Sequence, residues 1–78
     1  MRFPSKEQIA ALQERYPSGT RVELLGMDDP QAPPMGTRGE VMGVDDAGQL
    51  LVRWETGSSL SLISGVDSFR IVQKGGRS

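Results

Sequence analysis

Cysteine and histidine are both absent from this chain of 78 residues. Without cysteine there is neither a disulfide nor a thiolate metal site, so packing alone must hold the core, and a reducing compartment suits the chain. Without histidine the commonest general base and the commonest transition-metal ligand are lost together. Any chemistry would fall to carboxylates, hydroxyls and lysine. Aromatic residues are scarce: Phe3, Tyr16, Trp54 and Phe69 are the whole set. A small core needs most of them inside, which argues against an aromatic groove for proline-rich peptides. No apolar run approaches membrane-spanning length, and the opening MRFPSKEQ carries no apolar stretch of the signal-peptide kind. A cytoplasmic location and no membrane partner are the expectation.

Glycine and proline are plentiful, with 10 and 5 residues, as expected where short strands are joined by many turns. A chain this short forms one domain with an economical core, and a monomer or a weak homodimer is expected. The net charge of −1 conceals an uneven distribution. Residues 1–21 hold four basic and two acidic groups, residues 22–69 two and eight, and residues 70–78 three basic groups alone. An acidic body between basic ends disfavours broad binding to nucleic-acid phosphates, which draws on clustered lysine and arginine.

Gly36 to Gly57 is the most informative stretch. Val41 and Val44 precede the acidic turn Asp45-Asp46-Ala47-Gly48, and Leu50, Val52 and Trp54 alternate after it, which predicts a β-hairpin with one buried face. Gly48 suits the last turn position and the aspartates can bond nearby amides. Val41 and Val44 are three apart, so a β-bulge at Met42-Gly43 is needed to turn both inward.

In front of the hairpin, Ser5-Lys6-Glu7-Gln8 has the form of a capping box that opens a helix with an Ile9, Leu12, Tyr16 stripe. Pro17 ends it. Thr20 to Leu25 reads as the first strand, with Val22 and Leu24 inward. Met27 to Met35 contains three prolines and is too long for a tight turn; it reads as a stiffened surface loop whose end methionines could close over the core. Behind the hairpin, Ser59 to Leu62 reads as a fourth strand. Val66 to Arg70 reads as a short helical or 3₁₀ turn with Phe69 buried, and a last strand lies around Arg70 to Val72. The division expected is a docked helix over 1–16, a barrel over 17–72 and a disordered tail over 73–78.

About five short strands with one N-terminal helix suggest a mainly β fold: a small, strongly bent antiparallel barrel of the SH3-like kind. The segments YPSGTRVELLGMDDP, APPMGTRGEVMGVDDAGQLLVRW, GSSLSL and GVDSFR resemble an uncharacterised bacterial family, domain of unknown function 4314, which also occurs in phage and mobile-element genomes. The resemblance runs from about Ser5 to Val72. It implies a fold and a genomic setting but no reaction. After the tryptophan the family often has Asp-Asn-Gly, where this chain has Glu55-Thr56-Gly57.

The acidic residues Asp28, Asp29, Asp45, Asp46, Glu55 and Asp67 raise the alternative of a divalent-cation site or a carboxylate-dependent hydrolase. Their spacing matches no calcium loop, and paired aspartates at turns commonly cap backbone amides. No cofactor is expected. The reading favoured is a non-enzymatic interaction module, an accessory protein of a mobile element or phage that binds another protein. Its candidate surface is Asp28, Asp29, Pro30, Pro33, Pro34, Asp45, Asp46 and Glu55, with Trp54 if its edge is exposed, although alternation places Trp54 in the core. A second reading is a nucleic-acid-associated module using Arg38, Arg53 and Arg70 as an outward stripe.

Overall fold

The computed structural model describes residues 4–75. Helix α1 (Lys6–Arg15) begins at the capping box: the Ser5 hydroxyl accepts from the Gln8 amide at 3.1 Å, and the Ser5 amide donates to Gln8 Oε1 at 2.8 Å. Two of the orphan donors of the first turn are thereby satisfied. The last bond runs from Tyr16 N–H to the Leu12 carbonyl at 2.8 Å, and Pro17 follows. No residue of the helix itself is buried. Leu12 packs on the core from its rim, while Ile9 and Leu12 approach Gly48 in the turn of the hairpin.

Five strands form one antiparallel sheet: β1 (Arg21–Gly26), β2 (Arg38–Val44), β3 (Gln49–Trp54), β4 (Leu62–Ile63) and β5 (Ser68–Gln73). Their order is β4-β3-β2-β1-β5. Both β4 and β5 are edges, so the sheet stays open where turn spacing suggests a closed barrel. Among the described residues, no helix is long and apolar enough to cross a membrane.

The hairpin follows the sequence closely. Val41 pairs with Val52 but Gly43 pairs with Leu51, which places the bulge at Met42. The bulge turns Val41 fully inward and leaves Val44 half-buried. In the turn, Asp45 Oδ1 accepts from the amides of Ala47 and Gln49, at 3.0 and 2.8 Å, and Gly48 takes φ +81°. That conformation costs little only without a Cβ.

One core lies beneath the sheet. Tyr16, Val22, Leu24, Val41, Leu50, Val52, Trp54 and Leu62 are buried, with Met27 and Phe69 packed against them. Each such side chain contributes roughly 1.5–3 kcal/mol when removed from water. The Tyr16 and Phe69 rings meet at 5.6 Å, which joins the end of the helix to β5. Thr20 is a fully buried polar node: its hydroxyl donates to the Pro17 carbonyl at 2.6 Å and accepts from the Gly75 amide at 2.9 Å.

Several expectations are corrected. The fourth strand pairs only at Leu62 and Ile63 rather than from Ser59, because the Leu60 carbonyl is taken by the Trp54 indole N–H at 2.9 Å and the chain is held off the ladder. No helical turn covers Val66 to Arg70. A turn closed by the amides of Val66 and Asp67 on the Ile63 carbonyl leads straight into β5, where Phe69 is half-buried. Met35 does not close over the core but is 77 % exposed. The last strand continues through Gln73, which pairs with Arg21, and Gly75 is tied to Thr20, so the tail expected from residue 73 does not begin there. Residues 76–78 lie outside the described residues.

Candidate functional site

Trp54 decides how the hairpin face is read. It is 1 % exposed, and its one polar group is satisfied within the fold by Leu60. As a recognition platform it is therefore withdrawn: no partner can reach it without unfolding β3. Above it lies a shallow hollow of about 230 Å³ whose rim is Arg21, Arg38, Glu40, Arg53 and Glu55. Gly39 forms part of the floor. A Cβ there would stand 2.7 Å from Val52 Cγ1 and 2.8 Å from Trp54 Cε3.

Cross-strand register arranges these charges in rows. Arg70, Glu23 and Arg38 lie opposite one another across β5, β1 and β2, and Arg21, Glu40 and Arg53 across β1, β2 and β3. Side-chain period two puts both rows on the face away from the core. Within them Arg70 Nε donates to Glu23 Oε1 at 2.6 Å and its Nη2 makes an ion pair with the same oxygen, and Arg53 lies 3.5 Å from Glu40. Arg38 donates its backbone N–H to Glu55 Oε1 at 3.2 Å. The expected arginine stripe exists as geometry, but every arginine in it faces a glutamate.

The acidic candidates are scattered. Asp28, Asp29 and Asp67 line a groove beside β4, Glu55 rims the hollow over Trp54, and Asp46 lies in a depression against α1 with Ile9 and Gln13. Loop and turns thus border different concavities instead of one surface. Most of the carboxylates have structural work. Asp29 Oδ1 accepts from Gln31 N–H at 2.8 Å, Asp45 holds the hairpin turn, and Asp67 Oδ2 accepts from Ile63 N–H at 2.8 Å. Among the described residues no three acidic side chains are grouped so as to hold a metal ion. Of the loop prolines, Pro33 is buried and unavailable to a partner, while Pro30 and Pro34 are exposed.

The family model for a domain of unknown function (DUF4314) matches residues 5–72. The chain belongs to the DUF4314 family. The match begins at the helix N-cap, Ser5, and ends one residue short of the end of β5, so the DUF4314 unit takes in the helix and all five strands. No curated protein and no solved structure matches the chain significantly.

The groove beside β4 is a second concavity of this DUF4314 domain, of about 440 Å³. One wall is the start of the β1–β2 loop, Met27 to Asp29. The other is the run from Ser59 to Asp67. Its apolar parts are open to solvent: Ile63 is 43 % and Val66 74 % exposed. Leu60, Ile63 and Val66 were not singled out by sequence, and Asp67 only as one of the acidic residues of the cation alternative. The available signal was Gly65-Val66-Asp67, a turn triplet with a large aliphatic residue where turns are ordinarily polar.

Proposed function

We propose that this chain is a non-enzymatic, SH3-like protein-binding module whose partner site is the groove between the β1–β2 loop and the β4–β5 turn. The observation that carries this reading is the pair Ile63 and Val66, aliphatic side chains left exposed on turn-anchored backbone inside a concavity. Turn hydrogen bonds hold both walls, so a partner meets a preformed surface and little ordering entropy is lost. Concave sites lined by apolar side chains with a few placed polar groups are where ligands most often bind. The SH3-like assignment is supported by the strand order: β1 to β4 run as a meander, and β5 returns to the far side of β1. The bulges and irregularities in the β1–β5 and β2–β3 ladders bend such a sheet towards closure. An accessory role in a phage or mobile element rests on the resemblance of the sequence segments alone. A nucleic-acid role is less well supported, because the arginine face carries its own glutamates.

Site-specific photo-crosslinking tests the proposal. A photoreactive side chain is placed at Val66, and in a second variant at Leu51 on the other side of the sheet, and both are irradiated in extracts of the source cells. A discrete crosslinked protein from position 66 that is missing from position 51 is the expected result. The same adducts from both positions, or a nucleic-acid adduct from position 51 alone, would sink it.

A further inference from the structure

We infer that the groove beside β4 takes an extended segment of another protein in which aliphatic side chains alternate with lysine or arginine, gripped through its side chains and not by strand addition. This rests on the binding-module reading and names the partner's chemistry. Charge supplies the first argument. Among the described residues, the charged ones lining the groove are Asp28, Asp29 and Asp67, and no lysine or arginine lines it. On the outer face of the sheet, by contrast, Glu23 and Glu40 are answered by arginines. Here each aspartate keeps an oxygen to spare after its turn bond: Asp29 spends Oδ1 and Asp67 spends Oδ2, while Asp28 makes no side-chain hydrogen bond among the described residues. A single-sign rim around an apolar floor selects a partner that brings the opposite sign together with aliphatic surface.

The backbone supplies the second argument. β4 is an edge strand, and exposed edges ordinarily invite another strand. At Ile63 that route is closed. Its N–H is taken by Asp67 Oδ2, and its carbonyl accepts from Val66 and Asp67 at 3.0 and 2.9 Å. The turn therefore occupies the hydrogen-bonding groups that an incoming strand would need, while leaving the Ile63 and Val66 side chains in the open. Recognition falls to side chains: aliphatic groups on Met27, Leu60, Ile63 and Val66, cationic groups on the three aspartates.

The test is an amide NMR titration of the isotope-labelled full chain with three short synthetic peptides: alternating Leu-Lys, alternating Leu-Glu and alternating Ser-Lys. The Leu-Lys peptide is expected to shift the amides of Asp28, Ile63 and Val66 and to weaken as salt is raised. Asp28→Lys should lower its affinity roughly three- to tenfold, as reversal of a rim charge does. Val66→Ser should lower it by a similar factor without altering the rest of the spectrum. Equal binding of Leu-Glu at the same amides would overturn the basic partner and leave the groove intact as a binding site. Binding of Ser-Lys as tight as Leu-Lys would overturn the aliphatic half. No response at these amides to any peptide would overturn the inference, while a Val66 crosslink to a protein would still uphold the binding module. Peptide-competed dimerisation would make a second copy, through its basic end, the occupant and would likewise overturn the inference.

Discussion

The hollow over Trp54 and the groove beside β4 are both shallow, both rimmed by charge and both next to strand β3, yet they are built on opposite plans. In the hollow, arginine and glutamate alternate across neighbouring strands and answer one another, and the floor is a tryptophan that the fold has already buried. In the groove the charges share one sign and the aliphatic floor is open to water. Charged residues are abundant in each, so their number does not distinguish a site from a solvated sheet face. What distinguishes them is whether the charges have partners within the fold and whether the apolar surface beneath is already covered.

That contrast predicts that substitutions in the buried floor of the hollow act most on stability, and those of the groove's exposed aliphatic and unbonded acidic side chains chiefly on binding. Trp54→Ala should have the largest effect, a loss of about 3–5 kcal/mol, since it empties a core site and frees the Leu60 carbonyl. Urea unfolding followed by circular dichroism measures it, and a loss below about 1 kcal/mol would show that the tryptophan is not the keystone of that face. Gly39→Ala should follow, at about 1–3 kcal/mol, because its methyl would press into Val52 and Trp54. An unchanged melting temperature would mean that the hollow has room to give.

On the groove side, Asp67→Ala should cost about 1 kcal/mol by stripping the Ile63 amide of its acceptor, with Asp67→Asn recovering most of it. Hydrogen exchange at the Ile63 amide reads this directly: it should speed up in the alanine variant and stay slow in the asparagine one. The smallest effects belong to the outermost groups. Glu40→Gln with Arg53→Gln should change stability by less than about 0.5 kcal/mol, as exposed ion pairs do, and Val66→Ser should stay within about the same margin. A large loss from Val66→Ser would move that residue from the binding surface into the structure and blur the contrast.

The sequence was most legible where short-range rules operate. Leu50, Val52 and Trp54 alternate into the core, the capping box at Ser5 and Gln8 closes as written, and the three-residue spacing of Val41 and Val44 correctly marked a bulge. These depend on residues near one another in the chain. Failures came where distant partners intervene. Ser59 to Leu62 has a strand's alternation, but the Trp54 indole claims the Leu60 carbonyl and delays pairing until Leu62. The sheet's failure to close has the same origin: a strand cut to two residues leaves β4 as an edge. Among candidate residues, Asp28 and Asp29 were found because aspartate beside proline marks a loop. Ile63 and Val66 were missed because, although alternation with Leu62 turns Ile63 outward, whether a neighbouring segment covers an outward aliphatic residue is a property of the folded surface.

The buried hydroxyl of Thr20 bears on how this unit should be excised for expression. Sequence similarity ends at Val72, but the fold's own boundary lies further on, since Gln73 still pairs with Arg21 and the Gly75 amide still donates to Thr20. A fragment trimmed to the similarity limit would leave the last rung of the ladder and one buried oxygen without their donors. A purification tag should likewise start after Gly75, and that residue should stay glycine, because a side chain there would collide with the backbone of Gly19 and Thr20.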